Sequence, residues 1–305
     1  MAGAPLAGAV AAAGGLGFVG HVEPDEFAPE LKRAQAIAGD GAVGAGLLLP
    51  FTKRAAHLEA LAEHTPPIVW LYAGFDAKLV AGLKELKTVV AHQVGTLEHA
   101  RRAIADGADV LVIQGDEAGG HVDADRPLRE NLDRLLPVAD GRPVIAAGGV
   151  ADGSAVRELL DRGAAAVAVG TRFLLTHESG AHPAYKQALL DADRTIRTQL
   201  FGAGWAMDHR VVPNAATKRW CGDDGRERQA IGLVNRVLEP VVSRAPGAAF
   251  ITAHQRPSWP LLTPFPPHAG MNEDRIPTTA LYAGEVVSRI DKLESAADVV
   301  ALLRP

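Results

Sequence analysis

Short runs of β-branched and other apolar residues begin near Leu16, Val43, Ile68, Val89, Val110, Val144 and Val167. Each is followed by a turn and then by a stretch in which apolar residues return at helical spacing. Alternation of this kind reads as βα units, whose strands lie parallel because the helix carries the chain back across the sheet. Thr96 is placed to cap a helix with Leu97, Ala100 and Ile104 on one face and Gly107 at its end. Asp152 or Ser154 can cap another, with Val156, Leu159 and Leu160 inward and Gly163 as its stop. Such units close as an α/β (β/α)8 TIM barrel or stay open as a doubly wound sheet, and seven runs favour the barrel.

The chain opens on a helix-like stretch, residues 5–13, with no strand ahead of it. A barrel needs an eighth strand. The choice lies between a first strand missing or truncated upstream of Met1 and a substitute at residues 248–253 (AAFITA), and the first is the expectation. After about residue 176 the alternation stops. Residues 181–244 read as mostly helical and charged. Pro257, Pro260, Pro264, Pro266, Pro267 and Pro277 then punctuate a long irregular stretch, in which Trp259, Leu261, Leu262 and Phe265 can pack. Residues 286–303 return to an amphipathic helix. The expected division is a barrel domain over 1–176 and a mainly helical domain with a Pro-rich loop over 177–305, its last segment returning to the active site.

Composition narrows the classes. With 48% hydrophobic and 22% charged residues the chain is an ordinary globular one. Its 31 basic and 36 acidic residues give a net charge of −5, which speaks against a nucleic-acid partner. Cys221 is the single cysteine, so no internal disulfide can form, and a cytoplasmic setting is expected. The first charged residue is Glu23, yet this opening lacks a positive leader and carries Pro5 and several glycines, so neither a signal peptide nor a membrane span is expected.

The densest chemical signal is DVLVIQGDEAGGH, residues 109–121. A strand runs into Gln114, and Gly119 and Gly120 then deliver His121 at the strand's C-terminal end, the edge on which barrel sites are built. Glycines permit positive φ or close approach to a flat ligand, and imidazole is suited to proton transfer near neutrality. A Gly-rich βα turn with a surface histidine is the competing description. Two further turns, Gly148-Gly149 after PVIAAGG and Gly170-Thr171 after AVAVGT, come after consecutive strands, where backbone N–H groups can hold a phosphate. Arg172 can join them or form an ordinary ion pair. His92, inside a strand near its C-terminal end, can line the site or bond to backbone, and the second is the expectation. The opening Gly14-Gly15 ends a helix and leads into a strand, the reverse of a dinucleotide fingerprint. No HExxH or GxSxG occurs, and His177 with His182 lack metal-ligand spacing, so no metal is expected.

The ordered set MAGAPLAGAVAAAGGLGFVG, QVGTLEHARRAIADGADVLVIQGDEAGGH, PVIAAGGVADG, AVAVGTRFLLTHES and LYAGEVV resembles the FMN-dependent nitronate monooxygenases. The resemblance implies a TIM barrel with an appended helical domain and FMN at the barrel mouth. It also implies oxidation of alkyl nitronates by O2 to a carbonyl compound and nitrite. By the same resemblance Gln114, Gly119 and Gly120 would contact the flavin, Gly148, Gly149, Gly170 and Thr171 its phosphate, and His121 the substrate. Met1 and Ala2 match the end of the family's PMAG motif, whose backbone lies against the flavin. The family's AGQ reads Ala283-Gly284-Glu285, which adds a negative charge. Expected partners are a small nitronate and O2, with a homo-oligomer possible. Two alternatives remain open: an FMN-dependent enoyl-ACP reductase using NADH, and a non-catalytic protein that binds flavin or another phosphorylated ligand.

Overall fold

The structure is a computed structural model that describes residues 1–202, 207–222, 224–227, 233, 237, 254–256, 258 and 262–305. The stretch 248–253 and the residues Pro257, Trp259, Pro260 and Leu261 lie outside the described residues. The chain divides into two compact units, one formed by 1–116, 123–180 and 293–305 and the other by 117–122 and 181–292. In chain order the strands are β1 (Gly17–Val19), β2 (Val43–Leu48), β3 (Ile68–Tyr72), β4 (Val89–Val94), β5 (Val110–Gln114), β6 (Gly120–His121), β7 (Val144–Ala147), β8 (Ala166–Ala168), β9 (Ile196–Thr198) and β10 (His209–Val211).

In the first unit β1, β2, β3, β4, β5, β7 and β8 form one seven-stranded parallel sheet in that order. The architecture is α/β and TIM-barrel-like. Side chains alternate between two surroundings, as the pleat requires. Leu47, Leu71, Val90 and Leu111 pack with helix residues such as Phe27, Leu31, Leu83 and Leu132. Ala91, Val110, Val112 and Ala147 pack with Trp70, Ile145 and Ala168 in a cluster of strand residues alone, which marks the inner face of the sheet.

Local signals set the helices. Thr96 accepts from His99 N–H and starts the helix Leu97–Ala105. Asp152 accepts from Ala155 N–H and starts Gly153–Asp161, while Ser154 donates to the Asp152 carboxylate. The first helix spans Ala4–Ala12 and packs Leu6 and Val10 with Ala296 and Val300 of the helix Ala296–Leu302. The continuous helix expected over 286–303 is interrupted: a 3-10 segment, Glu285–Arg289, ends before Ile290, and a fresh helix begins where the Ser295 hydroxyl takes the Asp298 N–H. A new N-cap outweighs the continuity of the apolar pattern.

The second unit contains short strands that the periodicity does not announce. Among its described residues are two helices, Pro183–Leu190 and Ala215–Trp220, and a three-stranded antiparallel sheet ordered β6-β10-β9. His182 caps the first helix through its ring, and Asn214 forms a capping box with Thr217 at the second. Sequence periodicity reads residues 181–244 as mostly helical, and β9 and β10 lie within that stretch. Strands of two or three residues carry too short an alternation to compete with that pattern and exist through pairing with distant chain. Among the described residues no helix is long and apolar enough to cross a membrane.

Candidate functional site

In the first unit the C-terminal ends of β4 and β5 are tied by one side chain. Asn131, fully buried, donates through Nδ2 to Gly95 O and to Gln114 O, each at 2.8 Å. Gln114 is itself buried, and its Oε1 accepts from Asp123 N at 2.8 Å, which fixes the amide orientation. Beyond the inner face Asp116 N donates to Arg126 O and Gly115 N to Ala147 O, so the chain leaving β5 is held on both sides. Asn131 drew no notice in the sequence; only a buried polar residue on an amphipathic helix hints at it.

The two small-residue turns lie after β7 and β8 as expected. Gly148 and Gly149 take φ of 122° and 66°, conformations open to glycine and strained for most other residues. Gly170 precedes the short helix Thr171–Leu174, and a Cβ built on it would meet nothing within 4 Å. Thr171 is buried. The turn at Gly170 therefore presents backbone beside open space, the condition a phosphate-sized anion requires. Arg172, weighed as an anion holder or an ion-pair partner, forms a buried ion pair with Glu294. Ala2 O accepts Gly20 N–H at 2.7 Å, just past β1, and Met1 O accepts Gly180 N–H at 3.1 Å. His92 behaves as expected: its Nδ1 lies 3.1 Å from Gln93 O, and its ring stacks on Phe75 with centroids 4.8 Å apart, on the side of the sheet that carries Val90 and Val94.

The second unit holds His121. Gly119 approaches the backbone of Ala283 and Gly284 so closely that a Cβ would lie 2.5 Å from the Ala283 carbonyl carbon. Gly120 has φ of 85°. The next residue, His121, pairs with His209 across the antiparallel β6–β10 register. The two rings meet edge to face with centroids 4.6 Å apart, and Tyr282 completes the cluster at 5.4 Å from His121 and 5.8 Å from His209. Burial, with His209 beside it, holds the His121 imidazole well below the usual histidine range. His209 is pushed down to about 4, chiefly by burial. Both rings are uncharged at neutral pH. An uncharged imidazole can take a proton from a carbon acid or donate its N–H to an anion.

Neighbouring groups keep that pocket of histidines electrically quiet. Tyr282 and Tyr185 are buried, which pushes their phenols well above the ordinary range. Tyr282 Oη donates to Pro264 O at 2.7 Å and Tyr185 Oη to Tyr282 O at 2.6 Å. Glu285, the acidic residue in the Ala-Gly-Glu segment, pairs with the buried Arg210 guanidinium at 2.9 Å, so its added charge is offset locally. His209 and Tyr185 had no signal in the sequence, because His209 meets His121 and Tyr185 meets Tyr282 only through long-range contacts.

The profile of the nitronate monooxygenase family matches residues 50–305. A (3aS,4S,5R,7aS)-5-hydroxy-7a-methyl-1-oxo-octahydro-1H-indene-4-carboxyl-CoA dehydrogenase of Mycobacterium tuberculosis is 36% identical over 222 residues, 70% of this chain and 60% of that protein. The aligned stretch thus spans less than two thirds of that relative's length. Among solved structures, nitroalkane oxidase from Streptomyces ansochromogenes superposes with a TM-score of 0.75 at 26% identity, covering 99% of this chain and 91% of that one. FabK from Thermotoga maritima gives 0.73 at 25% identity, covering 99% and 88%.

Proposed function

Since the chain belongs to the nitronate monooxygenase family, a flavin-dependent one, we propose that it is an enzyme that binds FMN and oxidises alkyl nitronates with O2 to a carbonyl compound and nitrite. The observation that carries this reading is the half-buried, uncharged His121 at the end of the glycine segment. The glycine turns after β7 and β8, the second with open space beside Gly170, fit the phosphate of such a cofactor, with Gly148, Gly149, Gly170 and Thr171 as its holders. Gln114, Gly119 and Gly120, with the backbone of Met1 and Ala2, are assigned to the ring system. What a bound FMN supplies is electron transfer between the nitronate and O2.

The chain's own part is selection and proton handling. A nitronate is already an anion, so its oxidation needs no strong base, and the His121 N–H stabilises its oxygens by hydrogen bonding. For a neutral nitroalkane the same ring, as acceptor, takes the proton from the carbon that bears the nitro group. His121→Asn is expected to lower nitroalkane turnover by a factor of about 100 or more, the usual worth of a positioned base, while nitronate oxidation survives in part. Nitrite release measured with both substrates checks this; equal nitroalkane turnover by the variant and the unmodified protein removes His121 as the base. Recording NADH consumption beside nitrite release separates the monooxygenase from an enoyl-ACP reductase.

A further inference from the structure

We propose that His209 is a positioning residue for His121: with Tyr282 it forms a rigid aromatic backing that fixes the plane of the His121 ring. The inference rests on the catalytic role proposed for His121. Its geometry stands on the structure of the second unit alone. His209 faces His121 directly across the β6–β10 pair, is fully buried, and meets its ring edge to face at 61°. His209 also stacks on Tyr282 at an interplanar angle of 19°, and Tyr282 itself lies against His121. Tyr282 cannot yield, because its hydroxyl is bonded to Pro264 O, its carbonyl receives the Tyr185 hydroxyl, and its backbone bridges to Val211. A ring that turns away from this wall must displace packed aromatic surface, which confines His121 to a narrow range of orientations.

The charged and titratable groups around the pair do not take over that role. On β10 and the residue before it are Arg210, paired with Glu285, and Asp208, whose carboxylate accepts from Arg197 at 2.7 Å and from Gln199 at 2.7 Å. On the segment leading to His121, Glu117 offers its carbonyl to Glu285 N. Tyr282 and Tyr185 stand behind. The Asp208 and Glu285 carboxylates are thus engaged with partners of their own, and the His209 and Tyr282 rings pack directly against His121.

His209→Ala removes the backing and His209→Phe keeps an aromatic ring without its nitrogens. With histidines labelled by 13C and 15N, ring shifts of His121 are tracked from about pH 5 to about pH 8, the span of an ordinary histidine titration. In the unmodified protein His121 should not titrate there. In His209→Ala water reaches the ring, its titration enters this window, and kcat for a nitronate falls by about tenfold or more with KM changing less than about threefold, the pattern of lost orientation. His209→Phe should restore both. A folded His209→Ala with unchanged titration and kcat, or a Phe variant that restores neither, overturns the proposal. Should His209→Ala fail to fold, Tyr282→Leu removes the other half of the wall and carries the same expectation. Absence of nitronate oxidation in the unmodified protein overturns the proposed function instead, and the ring titrations still decide whether His209 positions His121.

Discussion

Gly119 and Gly170 both lie in turns that follow strands of the parallel sheet, yet the two regions that contain them use the missing side chain in opposite ways. In the second unit the space beside Gly119 is filled by the Ala283–Gly284 backbone, so a methyl group there would collide with main chain. In the first unit the same construction at Gly170 points into open space. The first lets two stretches of chain approach and leaves only its main chain for the proposed ring contact; the second has open space beside it. A glycine next to a candidate site is therefore evidence of a ligand only when nothing of the protein already fills the space beside it.

The largest effect expected on this contrast comes from acid. Every proton bound by unfolded chain but refused by the folded one costs stability, and His209 binds in the folded state only near about 4 against an ordinary 6.5. The stabilising difference is complete above pH 6.5 and drains away as pH falls through about 4. It amounts to on the order of 3 kcal/mol for this residue. Thermal melts over that range should show the loss, and His209→Phe should flatten it; an unchanged acid limb in the variant means that His209 is not the group responsible. Gly119→Ala comes next, with a destabilisation of about 2 kcal/mol from overpacking, read from urea unfolding. Gly170→Ala is the smallest change in stability, within about 0.5 kcal/mol. Its effect belongs elsewhere: FMN should bind about tenfold more weakly, a loss near 1.4 kcal/mol read by titration of flavin fluorescence. If Gly170→Ala unfolds the protein and Gly119→Ala does not, the two glycines have been assigned to the wrong classes.

The seven parallel strands were legible because each buried run is local and each is bounded by its own punctuation. Val43, Ile68, Val89, Val110 and Val144 begin strands where the apolar runs begin, and Thr96 and Asp152 cap the helices their positions announce. The antiparallel sheet of the second unit was not legible. Its strands hold only two or three residues each, and β10 consists of His209, Arg210 and Val211, a trio with no helical or alternating signature of its own. For the site, the glycines before His121 flagged the histidine, and the resemblance gave it a role. The ring that backs it could be found only once β6 and β10 were paired, since nothing near residue 121 in sequence refers to residue 209. Asn131 escaped for the same reason: its partners are main-chain carbonyls at the ends of two other elements.

The helix Ala296–Leu302 packs onto Leu6 and Val10 of the first helix, and the Glu178 carboxylate accepts its first N–H. Between the two in translation order stand residues 181–292, all assigned to the other unit. At synthesis rates of about 5–20 residues per second, Leu6 and Val10 wait for roughly ten seconds after residue 180 has been made before Ala296 and Val300 can cover them. The nascent barrel must tolerate that greasy surface in the crowded cell before its own cover arrives, and a chaperone that recognises exposed leucine and valine has its opening there and then.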